Sequence, residues 1–162
     1  MRDSPLAAAG LAAALVQLNA DYARTIDDDR LEGWPEFFTE ACLYSITSAD
    51  NHRQGLPLGV MYADSRAMLR DRVTALRRAS VYERQTYRHV VGLPAIVGES
   101  GAGVRAQTPF LVVRIMRDGR MDLFATGRYV DVLAEEAGAL RFHERVVVCD
   151  GNRVDTLLAL PL

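Results

Sequence analysis

Leu11, Leu15, Leu18, Tyr22 and Ile26 fall at i, i+4, i+7, i+11 and i+15, which places them along one face of a first helix. Ser4 reads as its N-cap and Pro5 as its first helical residue. Asp27-Asp28-Asp29 read as helix-starting carboxylates for a short second helix bent at Pro35, with Leu31, Trp34, Phe37 and Phe38 on one face. Leu43 to Thr47 alternates like a strand, and Ala49 to Val60, with Gly55, Pro57 and Gly59, reads as an irregular loop. A third helix is expected from Asp64, with Leu69, Val73 and Leu76 as its apolar stripe.

From Thr86 onward the pattern changes to long strands separated by turn residues: Glu99-Ser100-Gly101, Asp118-Gly119, Glu136-Ala137-Gly138 and Asp150-Gly151-Asn152. Strands joined by such short turns are antiparallel neighbours. The expectation is a five-stranded meander near 86–98, 103–117, 120–135, 139–149 and 153–160. Helices first and sheet afterwards is the α+β class, with N-terminal helices packed on a strongly curved, mainly antiparallel sheet. In Phe110–Met116 both strand faces are apolar, so something must cover the second face. Closure of the sheet into a cone and burial of its outer face against another subunit are both expected. No repeat or linker appears, and residues 1–162 read as a single domain.

Composition narrows the chemistry. A chain of 162 residues can bury about two thirds of its unfolded surface without disulfide or metal staples. The formal net charge of −2 recommends neither nucleic acid nor a membrane surface as a partner. All 19 basic residues are arginine, which removes lysine chemistry and favours bidentate guanidinium pairing. Pro5 to Val16 has the apolarity of a signal-peptide core, but its periodicity continues to Ile26 and Asp3 cancels Arg2, so a reduced, cytoplasmic protein is expected.

Two cysteines, Cys42 and Cys149, and three histidines, His52, His89 and His143, make up the soft-ligand set. None is spaced as a metal motif, so no metal, cofactor or catalytic residue is assigned to this chain. His89 is the best candidate for acid–base work, as an inward-facing strand residue with Tyr44, Asp64 or Tyr62 as partner. His89 and Tyr44 are therefore pocket candidates. On the third helix Arg66, Arg70 and Arg77 cluster within about 40° of one another, a spacing that suits a solvated face. Arg72 falls inside the apolar arc and needs a carboxylate, within the chain or across a subunit boundary. All four arginines are interface candidates.

Five segments carry a family resemblance: IDDDRLEGWPEFFTEACLYSIT (26–47), ADSRAMLRDRVTALRRASVYERQTYRHVVGLP (63–94), TPFLVVRIMRDG (108–119), LFATGRYVDVL (123–133) and RVVVCDGNRVDTLLALPL (145–162). Taken in order they resemble the small (β) subunits of Rieske-type aromatic-ring-hydroxylating dioxygenases, most closely the branch acting on terephthalate. The resemblance implies a cone-like fold of the nuclear-transport-factor-2 (NTF2) and cystatin-like type. It also implies a self-trimer within an α3β3 hexamer with the large (α) subunit, which would hold the Rieske [2Fe-2S] cluster and mononuclear non-haem iron. An NAD(P)H-dependent reductase would supply electrons for cis-dihydroxylation of an aromatic carboxylate. The competing reading is a free-standing NTF2-like lyase or isomerase with His89 as general acid/base, a warrant resting on fold analogy.

Overall fold

The structure, a computed structural model, describes residues 5–56, 59–79, 85–151 and 160–162. The proposed Ser4 cap and the strand expected at 153–160 lie outside them. Helix α1 spans Pro5–Asp27. It buries Leu15, Tyr22 and Ile26, as the periodicity requires, together with the polar residues Asn19 and Thr25. The three aspartates end this helix; they do not start the next. Asp29 adopts a left-handed φ of 57°, and the Asp29 and Arg30 amides bond back to the Ile26 and Thr25 carbonyls as a Schellman cap. The expected second helix is a 3₁₀ segment, Leu31–Phe37, that buries Leu31, Trp34 and Pro35. Pro35 has no N–H to donate, which disfavours continuation as an α-helix.

Strand β1 (Phe38–Ser48) starts five residues earlier than the alternation indicated. A short helix α2 (Ala49–Arg53) replaces the first part of the expected loop, with the Ser48 hydroxyl accepting from the Asn51 amide. Strand β2 (Met61–Ala63) precedes helix α3 (Arg66–Arg78), whose N-cap is Ser65 in place of the Asp64 start. Strands β3 (Gln85–Val91), β4 (Ala95–Ser100), β5 (Gly103–Met116), β6 (Met121–Glu136) and β7 (Ala139–Cys149) complete the sheet.

The order is β2-β1-β7-β6-β5-β3, with β4 also on β5. Hairpins β5–β6 and β6–β7 are antiparallel as expected, and Ala137-Gly138 with positive φ form the two-residue turn of the latter. The expected strand 86–98 is broken into β3 and β4, which pair in succession with the two halves of β5. The break lies at Gly92-Leu93-Pro94, where the Gly92 amide reaches the Pro109 carbonyl and a Cβ on Gly92 would lie 2.7 Å from the Pro109 ring. Strand β1 runs parallel to β7, a pairing that a hairpin reading cannot supply. Among the described residues the sheet is open, ending at β2 and at β3 and β4, so closure into a ring is not found.

The core centres on an ion pair. Arg145 on β7 and Asp131 on β6 are cross-strand partners with both side chains at 0% exposure. Arg145 Nε and Nη2 donate to the two Asp131 oxygens at 2.9 and 2.8 Å, and Nη2 also donates to Asn19 Oδ1 at 2.6 Å. Tyr22, Tyr129 and Phe142 hold the guanidinium at 4.4, 3.9 and 3.7 Å from their ring centroids. Burial pushes the Asp131 carboxyl upward, and Arg145 pulls it back. Asn19 and Tyr22 come from α1, so this one cation joins helix to sheet.

Around the edge, α3 is held by exposed ion pairs. Arg77 donates to Glu32 and Asp29, and Arg70 to Glu36. Hydrogen bonds from Arg77 lower the Glu32 carboxyl to about 2.

Removing one partner of a buried pair strands the other charge, so Asp131→Asn should lower the unfolding free energy by about 3–5 kcal/mol in denaturant titration. Asp131→Leu combined with Arg145→Met should recover much of that loss. The exposed Arg77–Glu32 pair is worth about 1 kcal/mol or less. The depressed Glu32 value means this contribution is complete above the ordinary carboxylate range and lost as pH falls toward about 2. The melting-temperature difference between wild type and Arg77→Gln should therefore be fullest at neutral pH and vanish in strong acid.

Candidate functional site

Period-two alternation on β3 turns Tyr87 and His89 inward and leaves Thr86, Arg88 and Val90 exposed. This is the orientation expected of His89. Its partner is Asp27, the last residue of α1, and none of Tyr44, Tyr62 and Asp64. One Asp27 oxygen lies 2.6 Å from His89 Nδ1 and the other accepts from the His89 backbone amide at 2.9 Å. The side chains are 0% and 3% exposed. An ionised carboxylate only accepts, so Nδ1 carries the proton and the lone pair of a neutral imidazole sits on Nε2. Nε2 is buried and makes no hydrogen bond among the described residues. The exposed Arg88 stands 3.8 Å from the same carboxylate.

A cavity of about 400 Å³ adjoins this pair, lined by Ile26, Asp27, Asp29, Tyr87, Arg117 and Leu160 among others. Asp27 reaches its wall; His89 and Tyr44 are not among the lining residues. Tyr44 is fully buried in the aromatic core, where its hydroxyl donates to the Leu162 carbonyl and accepts from the Leu162 amide, each at 3.1 Å. Burial drives its ionisation well above the ordinary tyrosine range. The two pocket candidates are thus not brought together, and Asp27–His89 is arranged as a clamp between α1 and β3.

His52, His89 and His143 lie on α2, β3 and β7. His143 Nδ1 is 3.2 Å from the Thr39 hydroxyl. Among the described residues, no group of three or more His, Cys, Asp or Glu side chains could hold a metal ion. Both cysteines are buried, and desolvation raises their thiols to about 11, which keeps them protonated at neutral pH. This donor set fits neither an iron–sulfur cluster nor a mononuclear iron centre.

The arginines of α3 divide differently from the helical projection. Arg66 does not sit on a solvated face: it is buried, with Nε donating to the Phe38 carbonyl at 2.9 Å and its guanidinium bonded to Glu136 and 3.6 Å from Glu40. Arg70 and Arg77 reach the carboxylates of and beside the 3₁₀ segment. Arg72 meets no carboxylate among the described residues, and its buried Nε has no hydrogen-bond partner. On the sheet, Val90, Met121 and Leu123 are 54%, 68% and 64% exposed. Register places Arg88, Val113 and Leu123 abreast, and Thr86, Ile115 and Met121 abreast, so an apolar strip runs along β5 and β6, flanked on β3 by Arg88 and Thr86.

Sequence reasoning missed Asp27, Asn19, Asp131 and Arg145. The last two carried a signal: Tyr129, Asp131 and Leu133 share one strand face, as do Arg145, Val147 and Cys149, leaving one charge of each sign in otherwise apolar rows.

Comparison with known proteins places these features in context. Residues 21–156 match the family model described as "Ring hydroxylating beta subunit". A terephthalate 1,2-dioxygenase terminal oxygenase component subunit beta from Comamonas sp. is 49% identical over 148 residues, covering 91% of this chain and 96% of that protein. The anthranilate 1,2-dioxygenase small subunit of Burkholderia cepacia is 38% identical, covering 91% and 92%. A crystal structure of the beta subunit of an aromatic-ring-hydroxylating dioxygenase from Novosphingobium aromaticivorans superposes with a TM-score of 0.86 at 39% identity, covering 96% and 99%.

As a clamp, the pair gives the buried Asp27 carboxylate its ring N–H donor; His89→Ala leaves it the residue-89 amide and Arg88 at 3.8 Å, and should cost about 1.5–3 kcal/mol in chemical denaturation. Truncation of the exposed Arg88 should cost about 1 kcal/mol or less.

Proposed function

We infer the role of this chain from one premise: it belongs to the ring-hydroxylating beta-subunit family. It is the β subunit of the terminal oxygenase of a ring-hydroxylating dioxygenase, one part of a multicomponent oxidoreductase system, and an α subunit is its partner. We propose that it serves this enzyme as a scaffold, in a cytoplasmic α3β3 hexamer in which three copies of this chain form a trimer. The 49% identity to Comamonas subunits supports terephthalate as the substrate, cis-dihydroxylated in aromatic catabolism. An NAD(P)H-dependent reductase would deliver the electrons, and the Rieske [2Fe-2S] cluster and mononuclear iron would lie in the large subunit. No helix among the described residues is long and apolar enough to cross a membrane.

The observation that carries the scaffold reading is the mismatch between the ligand set and the surface. The chain's histidines are dispersed and its thiols are protonated, while it presents an apolar strip and an arginine with no carboxylate among the described residues. Leu123, Met121 and Val90 suit a contact with a neighbouring subunit, since large apolar patches on a sheet face mark interaction surfaces. Arg72 suits a carboxylate across the subunit boundary, where a guanidinium pairs bidentately. The lyase or isomerase reading is not favoured. It requires an imidazole at a cavity wall, whereas His89 stands away from the lining residues with Asp27 between.

Co-expression with the large subunit, followed by light scattering on the size-exclusion peak, tests this reading. The expected mass is that of a hexamer, and a monomer indifferent to the large subunit would refute it. Leu123→Glu should dissociate the assembly, while His89→Ala should leave turnover per assembled hexamer unchanged. Arg72→Met with unaltered assembly and stability would remove Arg72 from the interface.

A further inference from the structure

The cavity beside the Asp27–His89 pair is left without a task by the scaffold role. Its volume of about 400 Å³ lies at the low end of the roughly 300–1,000 Å³ typical of small-molecule sites, room for a single ring with a substituent. It opens between the C-terminal end of α1, the start of β3 and the end of β5. Ile26, Tyr87 and Met116 give it apolar walls. The Tyr87 ring is held in place by its neighbours, with the Phe124 and His89 rings at 5.1 and 6.2 Å between centroids.

The polar groups of the wall differ in what they already hold. Both Asp27 oxygens accept from His89, and Arg88 stands 3.8 Å from the same carboxylate. Asp29 accepts from Arg77 at 2.8 Å. Each acid thus has a basic neighbour. The side chains of Gln85, the first residue of β3, and Arg117, which follows β5, make no hydrogen bond or ion pair among the described residues. The unengaged groups are therefore donors, a guanidinium and an amide, and the one charge without a counter-ion is positive. A planar guanidinium fits a carboxylate through two parallel hydrogen bonds. The body of such a ligand has to lie near Asp27 as well as the apolar walls. An aromatic ring meets both demands, because its edge carries partial positive charge that an alkyl body lacks.

We propose that this cavity binds a small aromatic carboxylate, with its carboxylate on Arg117 and Gln85 and its ring against Ile26, Tyr87 and Met116. The site is formed by this chain alone, so it does not depend on the substrate inferred above for the assembled enzyme.

The test uses the full 162-residue chain without the large subunit, so that binding is read from this chain's own residues. Benzoate is titrated and followed by calorimetry and by the NMR methyl signal of Met116. Saturable binding that shifts this signal is expected. Cyclohexanecarboxylate keeps the charge without the aromatic edge and should bind more weakly. Benzylammonium keeps the ring and reverses the charge, and should bind at least about tenfold more weakly. Arg117→Gln should weaken benzoate about tenfold, the loss of a charge-assisted contact. Arg120→Gln, in the same β5–β6 connection but away from the cavity wall, should leave benzoate binding unchanged. Both arginines are exposed, so neither substitution threatens the fold. Four results would each overturn the proposal: no saturable benzoate binding, equal loss in the two arginine variants, cyclohexanecarboxylate bound as tightly as benzoate, or benzylammonium preferred to it.

Discussion

A guanidinium placed at the centre of a protein must be neutralised, hydrogen-bonded and packed at once, and Arg145 meets these demands with partners from three elements. Asp131 supplies the charge from the neighbouring strand, Asn19 an acceptor from α1, and Tyr22, Tyr129 and Phe142 the faces that hold the cation. The cost of removing two ions from water is high, and such a pair stabilises only when its geometry is nearly complete. That requirement fixes the position of α1 over β6 and β7, because Asn19 and Tyr22 must both reach one side chain. The helix that places these groups also ends at Asp27 over β3, so the clamp on His89 follows from the same docking.

The absence of lysine acquires a physical reading here. Arg66 braces β1, α3 and β6 by reaching the Phe38 carbonyl together with Glu136, and Arg77 grips Asp29 and Glu32 at once. Each contact uses several N–H donors of one planar fork, which a single ammonium point charge on a flexible stem does not reproduce. Arginine is thus the residue that ties the α3 face to the first half of the chain. Arg72 is the exception among the four, and the lack of a carboxylate for it within the described residues is what sets it apart as a contact for another subunit.

Much of the fold was legible because its signals are local. Leu15, Tyr22 and Ile26 announce α1 by spacing, and Ala137-Gly138 announces a hairpin by the positive φ that the turn needs. The misreadings were local signals with a second meaning. Three aspartates suit a helix start, yet a left-handed Asp29 makes them a helix end. The stretch from 86 to 98, up to the turn at Glu99-Ser100-Gly101, reads as one strand, yet the crowding of Gly92 against Pro109 breaks it in two. For the candidate site the inward orientation of His89 could be read from alternation. Its partner could not, since Asp27 lies 62 residues away and three other side chains were equally admissible.

The sequence by itself determined the α+β class, the antiparallel hairpins, the amphipathic helix and the family, because periodicity, turn chemistry and ordered motifs are properties of neighbouring residues. The tertiary structure alone decided which carboxylate meets which cation, that β1 lies parallel to β7, and that Leu162 sits between Tyr22 and Tyr44. Those pairings join positions up to 140 residues apart. A buried charge or hydroxyl demands a partner without specifying one, and only the folded chain brings a single partner within reach.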